Sequence, residues 1–193
     1  LEIYSKHLEV EDFLDEIYQG HNFLQAILKD KSISIVEFAV NQLKEKLLSD
    51  KFQKILRLRN HFQQNILHLS VNSLSYDSHS SITKINSKLT FMINLLSNEL
   101  STESFKEMLK EKDVNGHLLL HLIAKYSSNL EILNTCISMY VKNFPVDEIC
   151  AIVEEASKKG IFNAEITEKC LKLIKKSVKL KIETLLSRLI ISE

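Results

Sequence analysis

Apolar residues in this chain return at the three- and four-residue steps of a helix, not in the alternation of a strand. Val10, Phe13, Leu14, Ile17 and Tyr18 make one such stripe, and Gly20 stops the helix they predict. After Asn22 two helical patterns follow closely. Phe23, Leu24 and Ile27 mark a short one, and Ile33, Ile35, Val36, Phe38, Ala39, Val40 and Leu43 a longer one, which together predict a helical hairpin. The amphipathic stretch Phe52, Ile55, Leu56, with Lys51, Lys54, Arg57 and Arg59 opposite, leads into a second short helix at Ile66, Leu67, Leu69 and Val71. Residues Ser73 to Ser87 are mostly small and polar and predict a surface loop. A long helix follows through Leu89, Phe91, Met92, Leu95 and Leu96. Ser104 and Glu107 then stand at capping-box spacing before Phe105, Met108 and Leu109. A third pair spans Leu118 to Ala124 and Leu130 to Val141, and Pro145 closes it. Beyond lie a helix near Val146 to Lys158, Gly160 as its stop, and one or two helices from Ala164 to Ile191.

Composition agrees with an all-helical chain. Only 3 Gly and 1 Pro occur in 193 residues, too few turn formers for a sheet protein of this length, and 45% hydrophobic residues suffice for a core. The 25 basic and 25 acidic side chains cancel, so no global field draws the molecule to nucleic acid or to an anionic membrane. The longest apolar run falls far short of the roughly 20 residues of a spanning helix, and no basic-then-apolar leader opens the chain. No integral membrane segment is therefore expected. The chain begins at Leu1 without a methionine, which fits a piece of something larger, so targeting stays open. Cys136, Cys150 and Cys170 are odd in number, widely spaced and form no CxxC pair, which points to a reducing compartment such as the cytoplasm, the cytosol of a host cell included.

Three segments align without gaps: Gly20-His-Asn-Phe-Leu-Gln-Ala-Ile-Leu28, Gln63-Gln-Asn-Ile-Leu-His-Leu-Ser-Val71 and Gly116-His-Leu-Leu-Leu-His-Leu-Ile-Ala124. Ile66-Leu67-His68 and Leu119-Leu120-His121 resemble the T-P-L-H-x-A motif of the ankyrin-repeat family, whose unit is about 33 residues long. Ser34 to Phe38 and Asn129 to Leu133 look like the start of that family's second helix, and Asp113-Val114-Asn115-Gly116 like its D-x-x-G turn. The resemblance covers about Gly20 to Val141. No copy has the family's proline, and Gln63 stands where a turn glycine is expected. Gln25, His68 and His121 are separated by 43 and 53 positions, so the units carry insertions. The implied fold is a short helical solenoid of about three degenerate ankyrin-like helix pairs, residues 20–143, with a capping helix over 1–19 and a helical cap over 144–193.

His117 and His121 stand four apart, a spacing at which two imidazoles can hold zinc. No Glu follows His117 and no third ligand accompanies the pair, so His121 is read as structural and no metal is expected. No cysteine lies in a nucleophile motif and no Gly-rich phosphate loop exists, so no enzyme activity or cofactor is expected. From Lys169 to Lys181 six lysines interleave with Leu171, Ile174 and Val178. Lys172, Lys175, Lys176 and Lys179 form a secondary basic patch for an anionic partner, a membrane surface or a nucleic acid. Without aromatic residues it reads first as a solvated face over a buried stripe.

The resemblance implies a protein partner, held on the concave surface by turn tips and first-helix positions. These are His21, Lys29 and Asp30 in the first unit, Gln64, Asn72 and Ser73 in the second, and Val114, Asn115, His117, Lys125 and Tyr126 in the third. Two other readings stay open. One is the targeting domain of a larger enzyme, such as a secreted microbial effector, and the other is a structural segment that associates with itself.

Overall fold

The computed structural model describes residues 22–30, 32–71, 79–126 and 130–191, so the helix expected over Val10 to Tyr18 lies outside the described residues. All regular structure among the described residues is helical: α1 (Phe23–Asp30), α2 (Ile33–Lys46), α3 (Ser49–Arg57), α4 (Ile66–Ser70), α5 (His79–Glu99), α6 (Thr102–Lys110), α7 (Leu119–Tyr126), α8 (Leu130–Asn143), α9 (Val146–Lys158) and α10 (Ala164–Ile191). They divide into two compact units, Leu1–Leu118 and Leu119–Glu193.

In the first unit each helix buries one stripe. Val36, Ala39, Val40 and Leu43 line α2 at the expected spacing, Phe52, Ile55 and Leu56 line α3, and Phe105, Met108 and Leu109 line α6. Helix α1 packs on α2 and α4, α2 on α3 and α5, α4 on α5, and α5 on α6. First helix thus meets first helix, and second meets second. Two expectations need correction. Residues 79–87 are helical instead of looped, because Ile85 and Leu89 continue the buried stripe of Met92 and Leu96 backward at four- and three-residue steps. Helix α6 begins earlier than the Ser104–Glu107 pattern suggests, since Ser101 is its N-cap and its hydroxyl accepts from Ser104 N at 3.2 Å.

In the second unit the 28-residue α10 packs on α7, α8 and α9. Cys136 and Tyr140 of α8 and Cys170 and Ile174 of α10 are buried there. His121 of α7 is also buried and meets Phe162 edge-on, with ring centroids 5.6 Å apart. Burial pushes the Cys136 thiol and the Tyr140 hydroxyl well above their usual ranges and the Cys170 thiol up to about 11, so both thiols stay protonated near neutrality.

The insertions that lengthen the repeat are helices. After α2, α5 and α8 a buried residue, Leu47, Leu100 or Phe144, donates its N–H to the carbonyl four residues back. One extended residue follows, Leu48, Ser101 or Pro145, with φ of −62°, −62° and −59°. A third helix then starts at once. Phe52, Ile55 and Leu56 of α3 correspond to Phe105, Met108 and Leu109 of α6 and to Ile149, Ile152 and Val153 of α9. A further helix thus follows α2, α5 and α8 after one extended residue each.

The short helices α1 and α4 open in the same way. Asn22 Oδ1 accepts from Gln25 N at 2.9 Å, while Asn22 N donates to Gln25 Oε1 at 3.1 Å. Asn65 Oδ1 accepts from Leu67 N and His68 N, and Asn65 N donates to His68 Nδ1 at 3.4 Å. Both are reciprocal capping boxes. The far side of each reciprocating side chain reaches the chain ahead of the next short helix: Gln25 Nε2 donates to Leu58 O at 2.9 Å, and His68 Nε2 lies 3.3 Å from His117 O. Asn65 Nδ2 adds bonds to Met108 O and to Glu111 Oε2, at 2.9 and 2.7 Å. Gln25 and His68, aligned from sequence, thus perform one task with different chemistry.

Burial lowers the His68 pKa from 6.5 to about 4, against the opposing pull of the His117 carbonyl. Geometry does not resist protonation, since Nδ1 also lies 2.7 Å from Asn65 Oδ1; burial does. Because the folded pKa is the lower one, the unfolded chain takes up the proton first. This contribution to stability is whole above about pH 6.5 and drains as pH falls to about 4, with a ceiling of about 3 kcal/mol. His68→Gln, which installs the group that Gln25 uses, should keep most of the stability at pH 7.5 and lose less of it on acidification than the native chain. Urea unfolding at several pH values reads this; parallel curves for the two proteins would refute the assignment.

Candidate protein-interaction surface

Two turns of the first unit are built to one plan. In the earlier, Asn60 Oδ1 accepts from Gln64 N at 2.9 Å, Asn60 N donates to Gln64 O at 3.0 Å, and Gln63 N donates to Asn60 O at 2.9 Å. In the later, Asp113 Oδ1 accepts from Asn115 N and His117 N at 2.9 and 2.8 Å, Asp113 N donates to His117 O at 2.9 Å, and Gly116 N donates to Asp113 O at 2.9 Å. Gln63 and Gly116 occupy the same place and both have positive φ, 58° and 78°. Gln63, which stands where the turn glycine is expected, therefore adopts the glycine conformation.

The turns are joined directly. Val114 N donates to Phe62 O at 2.9 Å, and the Arg59 guanidinium donates to Gln63 O at 2.8 and 3.0 Å and to Lys112 O at 2.5 Å. The joined tips point apolar side chains outward: Phe62 is 46% exposed and Val114 62%. The His61 ring lies against Phe62, centroids 3.8 Å apart. Fixed backbone beneath exposed apolar side chains is the arrangement of a preorganised contact surface.

Of the residues expected to bind a partner, Val114 and Asn115 are exposed on this tip. Gln64 and His117 are not on an open face: the Gln64 carboxamide accepts from Asn60 Nδ2 at 3.1 Å, and the His117 ring faces Asp113 at 3.7 Å. Both are half-buried and belong to the frame of their turns. His21, Asn72 and Ser73 lie outside the described residues, and the side chains of Lys29, Asp30, Lys125 and Tyr126, on α1 and α7, lie outside them as well. Phe62 was missed by sequence reasoning. Its signal was an aromatic with no place in the apolar stripe, two residues after Asn60 and aligned with Asn115.

The basic patch on α10 is exposed, but Lys172 pairs with Glu168 at 2.6 Å and Lys179 lies 3.9 Å from Glu183. The Lys172 ammonium holds the Glu168 carboxyl below its usual range. These are one-turn pairs of a solvated helix face. No group of three His, Cys, Asp or Glu among the described residues is placed to hold a metal ion, and no described helix is long and apolar enough to cross a membrane.

Gln63→Gly should raise stability by about 0.5–1 kcal/mol, since a left-handed residue with a Cβ costs about 1–2 kcal/mol and glycine's freedom in the unfolded chain offsets part of the gain. Gly116→Ala should lower it by about 1–2 kcal/mol through backbone strain alone, because nothing lies within 4 Å of the added Cβ. Denaturant midpoints measure both. A destabilising Gln63→Gly would show that its side chain matters more than its backbone.

Comparison with known proteins finds no matching family model, no matching curated protein and no matching solved structure.

Proposed function

We propose that this chain is a protein-interaction module, a short helical solenoid of degenerate ankyrin-like units that holds a partner protein at its turn tips. The observation that carries the reading is the pair of identically framed turns at Asn60–Gln64 and Asp113–His117, which present Phe62 and Val114 to solvent side by side. The stacking of α1 on α4 and of α2 on α5 supports the solenoid, and the shared task of Gln25 and His68 supports the ankyrin likeness. Free cysteines suit a reducing compartment such as the cytoplasm.

The partner is a protein and not a nucleic acid, because the chain's charges cancel and on its most basic helix Lys169 and Lys172 pair with acids one turn away. Aromatic side chains concentrate binding energy, and truncating one at the centre of an interface commonly costs about 2 kcal/mol, roughly thirtyfold in affinity. Affinity capture followed by quantitative mass spectrometry should recover a partner with the native chain and lose it with Phe62→Asn combined with Val114→Ser. Lys172→Glu, Lys175→Glu and Lys176→Glu together should leave recovery unchanged. Loss of the partner in the lysine variant and not in the tip variant would move the site to α10.

A further inference from the structure

We infer that the occupant of the tip surface is an acidic, extended protein segment that carries an apolar side chain. This rests on the interaction reading above and names the chemistry of its partner. Phe62 and Val114 supply the apolar seat, locked together by the Val114 N–H to Phe62 O bond. What surrounds that seat is sorted by sign. From Lys51 to Gln63 the chain carries four basic residues and no acid. Arg57, Arg59 and Lys112 are exposed beside the tips, Arg59 reaching both turns through Gln63 O and Lys112 O.

Two neighbouring carboxylates are engaged by the protein itself. The Asp113 side chain is 3% exposed and spent on Asn115 N and His117 N. The Glu111 carboxylate takes the Asn65 amide at 2.7 Å and lies 4.0 Å from the Arg59 guanidinium. Arg57 and Lys112 thus stand exposed beside an apolar centre although the chain as a whole is neutral. An acidic segment would be steered by the basic rim and anchored by the apolar pair. A nucleic acid fits less well, because the chain carries no net charge and the basic side chains beside the tips are few.

A displayed library of random peptides, selected on the native protein and counter-selected on the Phe62→Asn, Val114→Ser double variant, tests this. Asn at position 62 matches Asn115 of the later turn, so the frame should hold, and melting curves check that it does. The expected result is enrichment of sequences with Asp and Glu around Leu, Ile, Phe or Tyr. Synthetic peptides of the enriched sequences should bind the double variant at least tenfold more weakly, bind Arg57→Glu more weakly, and weaken as sodium chloride rises. Arg59 is left intact because it holds the turns. Tip-dependent enrichment of basic or uncharged sequences would overturn the acidic partner and leave the interaction module standing. Enrichment that ignores the tip substitutions, or none at all, would overturn both the seat and the module as placed here. Tip-dependent binding of oligouridine tighter than any selected peptide would replace the protein partner by a nucleic acid.

Discussion

The first unit depends on how the N-termini of α1 and α4 are satisfied once packing removes them from water. A helix start leaves backbone N–H groups without intrahelical partners, and leaving one buried and unsatisfied costs about 1–3 kcal/mol. Helices of eight and five residues have little apolar surface with which to offset that cost. Asn22 and Asn65 serve the N–H groups inside each helix, while Gln25 and His68 serve the Asn N–H and then bond a carbonyl ahead of the next short helix. One polar pair thus does two jobs, ending a helix and fixing the distance to its neighbour. Asn65 and His68 have no solvent exposure at all, so their bonds are not loosened by competing water.

The third helix of each unit follows from the same constraint. A chain leaving α2 or α5 must return to the start of the next short helix, and a loop on that path would bury backbone groups. A helix satisfies its own backbone, so the path is filled by α3 and α6, entered through one extended residue behind a buried Leu47 or Leu100. Pro145 shows how little the joint asks. Its ring fixes φ near the value that Leu48 and Ser101 adopt, and it lacks an N–H where none is bonded inside the helix.

Much of this was legible in the residues. The stripes of α2, α3 and α6, the stop at Gly160 and the equivalence of Gln25 with His68 all follow from periodicity and alignment, because they express local rules. The helical start of α5 was hidden, since Ser80, Ser81 and Ser87 read as loop and only Ile85 extends the buried stripe of Leu89 and Met92 toward it. The shared turn was half visible. Asp113 and Gly116 announce it, whereas Asn60 and Gln63 reach the same geometry with residues that do not, because the bonds from Arg59 to the Gln63 carbonyl hold a left-handed residue in place against its strain. Phe62 was hidden for a different reason: an exposed aromatic obeys no packing period.

That last point separates two kinds of position within one turn. The frame positions, Asn60 with Asp113 and Gln63 with Gly116, keep their hydrogen bonds or their φ even when the residue changes. The tip positions do not: His61 and Phe62 stand where Val114 and Asn115 stand in the next turn, and neither pair is used by the core. A fold whose stability rests on the frame leaves its tips open to selection for something else. Water would favour polar residues at both tips, yet Phe62 and Val114 are apolar and exposed, brought together by a backbone bond with Arg57, Arg59 and Lys112 exposed nearby in the chain.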